Sequence, residues 1–203
     1  MMKKQLNTIY LKVIVFISFF LGGSISSVSQ TPYYKQFLSE DGLPSNNVYS
    51  VFSDSQGFIW TTTDAGIAKF DGSTFKIFNQ QQGLVDNDIF NLFEDSENRI
   101  WMHTYNGNLS YLKNEEVFPI SMPISNIGYI SSFAEWNKSI YVGTSKGFLF
   151  EVENDTVKNH WNLLDGIVDL RPKRNKLIIY GLENSHELIE NDLTIKEKYD
   201  SFP

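Results

Sequence analysis

The chain repeats itself at a spacing of 41 residues, and this internal repeat constrains its fold more than any other feature. The matched pairs are Gly42-Leu43 with Gly83-Leu84, Asn46 with Asn87, Phe52 with Phe93, Asp54 with Asp95, Ile59-Trp60 with Ile100-Trp101, and Gly66 with Gly107. Two weaker copies follow: Tyr141 stands 40 residues after Trp101, and the segment Leu177 to Gly181 lies 38 residues further on. Periods of this length are typical of proteins that stack one small structural unit several times.

Each strong copy contains four short runs rich in β-branched and aromatic residues, which predict four strands. In the first copy the runs are Val48 to Ser53, Phe58 to Thr62, Ile67 to Phe70 and Phe75 to Asn79. Gly and Asp residues between the runs favour tight turns. Four strands in about 40 residues are typical of one β-propeller blade, an antiparallel sheet that buries its faces against neighbouring blades.

We therefore predict an all-β fold of about four β-propeller blades, each a four-stranded antiparallel sheet, near residues 42–82, 83–124, 125–162 and 163–200. The segment 42–203 is then a partial propeller, whose ring we expect to be incomplete. Five aromatic side chains are predicted to wedge between blades, namely Phe52, Trp60, Phe93, Trp101 and Tyr141. The alternative, an all-β sandwich, does not explain a register shared by strands and turns.

Residues 30–41 predict an outer strand that has no blade of its own. Tyr34 to Phe37 aligns with Phe75 to Phe78, in the last strand of the first copy, at the same spacing. The fourth copy already has an outer strand in Thr194 to Tyr199, so the orphan strand, Tyr34 to Leu38, has no blade to complete. We therefore expect a truncated or split ring whose open blade edges favour self-association.

The first 29 residues have the layout of a secretory signal peptide. Lys3, Lys4 and Lys12 precede a short apolar run from Val13 to Leu21, and small residues follow up to Ser29. We expect cleavage near Ser29 and export to the periplasm. The alternative is an uncleaved anchor formed by residues 9–21, although a membrane span needs about 20 apolar residues. The sequence contains no cysteine, which excludes disulfides and thiol chemistry.

The charge of the chain argues against nucleic-acid partners. The full sequence has 17 basic and 24 acidic residues. Without the three lysines of the leader, 14 basic and 24 acidic residues remain, a formal net charge of −10. Phosphate backbones are bound by clusters of Lys and Arg, which this sequence lacks.

Catalytic, metal and cofactor motifs are missing, so we expect no cofactor, no metal site and no enzyme activity in this chain. The three histidines, His103, His160 and His186, lack the spacing of a zinc-binding helix. His103 is interpreted as a packed or surface residue. The turn that begins at Asp54 lacks the carboxylates of a calcium loop. Acidic pairs such as Glu115-Glu116 and Asp86/Asp88 are interpreted as surface turns rather than as a glycosidase pair.

Topology predicts where a ligand would bind. In a meandering four-stranded blade, the loop that enters the first strand and the loop between the second and third strands emerge on the same face. Amides, carboxylates and an aromatic ring in those loops suit sugar hydroxyls and ring faces. The candidate ligand-binding residues are Ser45, Asn46, Asn47, Asp64, Asp86, Asn87, Asp88, Tyr105 and Asn106. The alternative for Asn46 and Asn87 is that they cap the turn into the strand.

The segments Asn46 to Gly72 and Asn87 to Tyr111 resemble the two-component regulator propeller repeat. The resemblance implies the periplasmic sensor region of a Bacteroidetes-type histidine kinase or hybrid two-component system, some of which recognise carbohydrates. We therefore expect an exported module that binds an extracellular small molecule or oligosaccharide. In the parent protein, separate membrane and kinase segments would pass the signal inward. The alternative is an exported propeller enzyme, a polysaccharide lyase or hydrolase, since fold alone does not decide function.

Overall fold

The structure, a computed structural model, describes Lys12, residues 34–189 and residues 192–198. The chain divides into two compact units, Met1–Gln36 and Phe37–Pro203, and every described strand lies in the second. Apart from Lys12, the predicted signal peptide lies outside the described residues, as does Tyr199. Within the described part of the chain, no helix has the length and apolar character needed to cross a membrane.

Sixteen described strands form four sheets of four strands each. Blade 1 comprises β1 (Val48–Ser53), β2 (Ile59–Thr63), β3 (Gly66–Phe70) and β4 (Phe75–Phe78), and blade 2 comprises β5 (Ile89–Glu94), β6 (Ile100–Thr104), β7 (Leu109–Lys113) and β8 (Glu116–Ile120). Blade 3 comprises β9 (Ile130–Trp136), β10 (Ser139–Thr144), β11 (Phe148–Glu153) and β12 (Thr156–Asn162), and blade 4 comprises β13 (Ile167–Lys173), β14 (Lys176–Gly181), β15 (Asn184–Ile189) and β16 (Asp192–Lys198).

Every sheet is an antiparallel meander in which consecutive strands pair. The first strands of neighbouring blades approach one another, as β1 does with β5 and β9 does with β13. Two short 3₁₀ turns, Ser39–Asp41 and Gln80–Gln82, precede blades 1 and 2. The predicted fold class, an all-β arrangement of four-stranded propeller blades, is confirmed.

The segment 34–38, predicted to be an outer strand, forms no strand in the structure. Phe37 instead packs edge-on against Phe70 and Phe75, with ring centroids 5.0 and 5.3 Å away. A strand exists only through pairing with another strand. That the ring of blades is incomplete stays a prediction.

The faces of neighbouring blades bury each other. Trp60 of blade 1 packs with Ile89 and Met102 of blade 2, and Trp101 of blade 2 packs with residues of blade 3 such as Val142. Tyr141 occupies the third such position and packs with residues of blade 4. These three large side chains are at most 2% exposed. Phe52 and Phe93 are partly buried against the first two of these clusters.

An aspartate fixes each tryptophan in blades 1 and 2. Trp60 Nε1 donates to Asp54 Oδ2 at 2.8 Å, and Trp101 Nε1 donates to Asp95 Oδ2 at 2.7 Å. The other carboxylate oxygen accepts two backbone N–H groups of its own turn, at residues 56 and 58 in blade 1 and at residues 97 and 99 in blade 2. These aspartates therefore tie the turn between the first two strands to the aromatic core.

The next residue of each turn binds the following blade. The backbone N–H and the hydroxyl of Ser55 donate to the two carboxylate oxygens of Glu94, at 2.6 and 2.8 Å. Ser96 makes the same pair of bonds to Glu135 of blade 3. One Asp-Ser pair thus serves both the blade that contains it and its neighbour.

Blades 3 and 4 join by other groups, because the Asp-Ser turn is missing from blade 3. The two-residue turn Asn137-Lys138, with φ values of 51° and 68°, replaces it. Trp136 Nε1 donates instead to the Lys173 carbonyl oxygen at 2.9 Å. The Ser131 hydroxyl donates to the Ile167 carbonyl oxygen at 2.6 Å.

The sequence spacing of 38 for the fourth copy is wrong by one residue. That spacing aligns Ile179 with Tyr141. Because Tyr141 faces the next blade, the spacing predicts that Ile179 also faces away from blade 3. The structure buries Leu177 and Ile179 completely against blade 3, and leaves Ile178 half-buried. Their counterparts are therefore Ile140 and Val142, 37 residues earlier. Because side chains alternate along a strand, an error of one residue reverses the predicted face.

Replacing Asp95 by Ala should destabilise the fold strongly. The change leaves Trp101 Nε1 and two backbone N–H groups without their acceptor in a site where Asp95 is 4% exposed. We expect a loss of about 3 kcal/mol in the free energy of unfolding, measured by urea denaturation. The exposed Glu116→Ala is the control and should change stability little. Equal stability of the two variants would contradict the role assigned to Asp95.

Candidate functional site

In blades 1, 3 and 4, the two loops that topology predicts to share one face are joined by a hydrogen bond. In blade 1, Asn47 Nδ2 donates to Asp64 Oδ2 at 2.8 Å, which joins the entry loop to the loop between β2 and β3. In blade 3, the backbone N–H of Ser145 donates to the Tyr129 carbonyl oxygen at 3.0 Å. In blade 4, Leu182 N donates to the Gly166 carbonyl oxygen, also at 3.0 Å. We call this side of the blades the loop face.

Three of the predicted ligand-binding residues form a hydrogen-bonded group in blade 1. The Ser45 hydroxyl oxygen accepts the Asn47 backbone N–H at 3.1 Å, and Asn47 binds Asp64. Hydrogen bonds from Ser45 and Asn47 lower the pKa of Asp64 below its ordinary value. These polar groups largely satisfy one another.

Asn46 and Asn87 bind the backbone seven residues earlier. Asn46 Oδ1 accepts the Ser39 N–H, and Asn87 Oδ1 accepts the Gln80 N–H, both at 2.8 Å. Each acceptor therefore fastens the 3₁₀ turn that precedes its blade. A ligand would have to compete with these backbone bonds for the same amide oxygens.

Asp86 and Asp88 have different surroundings. Asp86 Oδ1 accepts the Asn87 backbone N–H at 2.7 Å. The Asp88 carboxylate lies against the Tyr49 hydroxyl, and its hydrogen bond raises the pKa of Tyr49 above the ordinary value. Asp88 Oδ1 is buried and has no hydrogen-bond partner among the described residues. Asp88 therefore links the entry loop of blade 2 to Tyr49 of blade 1.

The loop face carries a cavity of about 600 Å³ that three blades line together. Its volume falls within the range of about 300–1,000 Å³ typical of small-molecule sites. Of the predicted residues, only Tyr105 is among those that line it. The lining residues are Phe90, Asn91, His103, Tyr105, Tyr129, Ile130, Ser131, Ser145, Gly166, Ile167, Val168 and Leu182. Tyr105 and Asn106 also line an adjacent cavity of about 340 Å³.

A row of aromatic rings in contact extends from Tyr49 of blade 1 to the cavity. Tyr49 stacks on Phe90 with centroids 4.9 Å apart and rings almost parallel, and Phe90 lies 6.0 Å from Tyr105. Tyr105 is 64% exposed and Tyr129 is 52% exposed. Exposed aromatic faces of this kind bind flat or ring-shaped apolar surfaces.

His103 is the buried polar residue of the cavity wall. It lies in β6, directly across from Asn91 of β5, and its ring is 5.6 Å from Phe133 of blade 3. The residue is 6% exposed, and its Nδ1 atom has no hydrogen-bond partner within the described part of the chain. Burial lowers the pKa of His103 to about 4, against an opposing hydrogen bond with the Thr104 backbone. The imidazole is therefore neutral at pH 7.

Sequence reasoning missed most of the cavity. Phe90, Tyr129 and His103 stand in or beside strands, where aromatic residues are ordinary core formers. Their spacing from the predicted loops was the available signal, since Phe90 lies two residues after Asp88 and His103 two before Tyr105. The prediction favoured the polar loop residues because their side chains donate and accept hydrogen bonds.

Asp54 and Glu115, the other acidic residues considered in the sequence, are used in local hydrogen bonds and an ion pair. Asp54 begins a turn, and its carboxylate is used by two N–H groups and Trp60. Glu115 forms an exposed ion pair with Lys76, which lowers the pKa of Glu115. No group of three or more His, Cys, Asp or Glu side chains in the described residues is arranged to hold a metal ion.

The stacked four-stranded sheets and the loop-face cavity define the chain as a β-propeller blade module. Residues 42–65 and 83–106 match the family described as two component regulator propeller. The resemblance of these two segments to that repeat is confirmed.

Known proteins agree with this assignment. Over 59 residues the chain is 37% identical to histidine kinase P4 of Formosa agariphila, an alignment that covers 29% of this chain and 4% of the kinase. Two solved structures share the fold. An extracellular domain from B. thetaiotaomicron, described as part of a hybrid two component system, has a TM-score of 0.63 at 15% identity, covering 75% of this chain and 23% of its own.

The second is PorZ, a surface component of the type-IX secretion system of Porphyromonas gingivalis. It has a TM-score of 0.62 at 12% identity and covers 74% of this chain and 22% of its own. The chain therefore spans less than a quarter of the length of each of these relatives. At these identities the solved structures show the fold alone.

Asn87→Ala should lower the stability of the fold, because the Asn87 side chain holds the preceding turn. The substitution removes the acceptor of the Gln80 N–H, and we expect a loss of about 1 kcal/mol in the free energy of unfolding. Urea denaturation measures it. Asn106→Ala is the control, since Asn106 is exposed. A fully stable Asn87→Ala variant would show that this bond does not hold the turn.

His103 should make the fold less stable in mild acid. Its folded pKa of about 4 lies below the ordinary value of 6.5. As the pH falls through that window, the unfolded chain takes up a proton that the folded chain excludes. Urea unfolding of wild type and His103→Leu should therefore show a smaller acid-induced loss in the variant. His186, whose pKa burial also lowers, contributes equally to both proteins. The exposed His160→Leu is the control, and its curve should follow the wild type.

Proposed function

We propose that this chain is an exported sensor module of a two-component system and that it binds an extracellular ligand, such as a glycan fragment, in the loop-face cavity. The cavity is the observation that carries the proposal. It joins three blades and combines exposed aromatic rings with a buried histidine. Propellers of this kind offer a rigid frame with variable loops, which suits recognition.

The sensory role rests on the repeats. Two segments match the two component regulator propeller, and a 59-residue stretch is similar to a histidine kinase. In this proposal the module is the N-terminal, periplasmic part of a sensor histidine kinase, with a signal peptide cleaved near Ser29. Kinase activity would belong to other segments of that parent protein.

The second candidate is an exported lyase or hydrolase. Hydrolysis of a glycosidic bond normally requires two carboxylates beside the bond. The described residues that line the cavity include neither Asp nor Glu. Their composition therefore favours binding over hydrolysis.

Self-association through an open blade stays a prediction. On the sheet face opposite Trp60, blade 1 exposes three apolar side chains, Val51, Ile59 and Ile77, by 65%, 41% and 36%. Sedimentation at several protein concentrations would measure association of the chain.

Thermal unfolding of the whole chain with a library of soluble oligosaccharides, amino acids, nucleosides and organic acids tests the proposed function. We expect at least one class to raise Tm by binding the folded state, with no new reducing or unsaturated ends. Tyr105→Ala should reduce the shift, whereas Leu164→Ala, outside the cavity and 88% exposed, should not. New chain ends would favour the enzyme, and a library without any stabilising compound would contradict the proposal.

A further inference from the structure

Most of the large hydrophobic side chains that the described residues expose lie on the loop face. Six of them, which we call the apolar stripe, have exposed fractions from 37% to 69%: Tyr49, Phe90, Tyr105, Tyr129, Val168 and Leu182. The stripe is continuous, because Tyr49 stacks on Phe90 and Phe90 lines one cavity with the other four. Contiguous exposed apolar surface marks a site of contact with another molecule.

The apolar stripe crosses all four blades. Tyr49 belongs to blade 1, Phe90 and Tyr105 to blade 2, and Leu182 to a loop of blade 4, while Tyr129 adjoins blade 3. Tyr105 and Leu182 are the most exposed members, at 64% and 69%. A compact ligand inside the cavity would leave Tyr49 uncovered, since Tyr49 is not among the lining residues. An extended molecule is needed to cover the whole stripe.

The loops on the same face are acidic. The entry loops and the loops between second and third strands carry seven acidic residues and one basic residue, Lys146: the acids are Glu40, Asp41, Asp64, Asp86, Asp88, Asp165 and Glu183. Within residues 34–189 and 192–198, none of the seven forms an ion pair with Lys or Arg. A positively charged partner is therefore attracted to both the blade 1 and the blade 4 side of the stripe.

An extended apolar surface beside acidic loops suits a polypeptide. Lys and Arg side chains can bind the carboxylates while neighbouring aromatic and aliphatic residues cover the apolar stripe. Side chains of an extended chain follow one another at about 3.3 Å, so one segment reaches several blades. Nucleic acids and anionic lipid surfaces carry negative charge, which these loops repel.

We propose that the loop face docks an extended polypeptide segment in which Lys or Arg flanks aromatic and aliphatic residues. The apolar side chains of the partner pack on the apolar stripe, and its cations lie against the acidic loops of blades 1 and 4. This inference goes beyond the proposed function, because it concerns a macromolecular partner and does not depend on a small ligand in the cavity.

Selection of random dodecapeptides displayed on phage, with the whole chain as the target, tests the partner class. We expect the enriched peptides to combine aromatic or aliphatic residues with flanking Lys or Arg. A synthetic copy of an enriched peptide should bind more weakly as salt concentration rises, because salt screens exposed charges. The inference is overturned by a selection without enrichment, or by enriched peptides that lack either basic or apolar residues.

Apolar substitutions locate the bound peptide. Tyr105→Ala should weaken its binding about tenfold, since exposed tyrosines often dominate such contacts. Val168→Ala, in the apolar stripe, should also weaken binding. Val51→Ala is its matched control, because Val51 is exposed on the sheet face opposite Trp60, and it should bind as the wild type does. Equal affinities in Val168→Ala and Val51→Ala would place the peptide elsewhere and overturn the inference.

Charge substitutions test the acidic loops. Glu40→Gln and Glu183→Gln each remove one exposed carboxylate, and each should weaken binding about threefold and reduce its salt dependence. Glu116→Gln removes the same charge from the start of β8, outside the loop face, and is the control. An equal loss in Glu116→Gln would show that the peptide responds only to the net charge of the chain, which contradicts a docking site.

The two proposals fail separately. If a small compound of the library stabilises the chain but no peptide binds, this inference is wrong and the proposed function survives. If a peptide binds through the apolar stripe while the library contains no ligand, this inference holds and the proposed function is contradicted.

Discussion

The lateral packing of one blade on the next is the interaction on which the rest of the structure depends. A single four-stranded sheet with apolar side chains on both faces cannot bury them alone. Trp60, Trp101 and Tyr141 each fill the space between two blades, and the strands on both sides are aligned around them. The hydrophobic contact is non-directional, however, so it does not by itself set the angle between blades.

Hydrogen bonds supply that direction, and the chain uses two solutions. Between blades 1 and 2 and between blades 2 and 3, a serine holds a glutamate of the next blade through both carboxylate oxygens. Between blades 3 and 4, Trp136 reaches the Lys173 carbonyl oxygen from the corresponding end of the strand. The aromatic wedge is retained while the polar link changes. This explains why the sequence repeat weakens after residue 112 although the architecture continues.

The sequence predicts blade 1 almost completely, because each strand is bracketed by Gly or Asp turns with a narrow choice of backbone conformations. Gly66 is one case: it has φ +120°, and a Cβ there would lie 2.4 Å from the Phe78 carbonyl oxygen. In blade 4 the turn between β13 and β14, Arg174-Asn175, contains neither Gly nor Asp, and the predicted register of this blade is wrong by one residue. The loop face was predictable from topology. The cavity was not, because it forms where Phe90, Tyr129 and Leu182, from three separate blades, meet at distances that no local pattern encodes.

A cavity shared by three blades links ligand binding to blade geometry. Phe90 and His103 belong to blade 2, Tyr129 adjoins blade 3, and Leu182 belongs to blade 4. A ligand that contacts all of them binds best at one set of inter-blade angles and therefore stabilises that set. The hydrogen bonds from Ser96 to Glu135, which join blades 2 and 3, lie near the other end of β5 and β9, beyond Phe93 and Phe133. The stacked rings of Phe93 and Phe133, 6.0 Å apart, lie between that end and the cavity. A ligand of the proposed kind would therefore hold blades 2 and 3 at one end of these strands while the bonds between Ser96 and Glu135 hold them at the other.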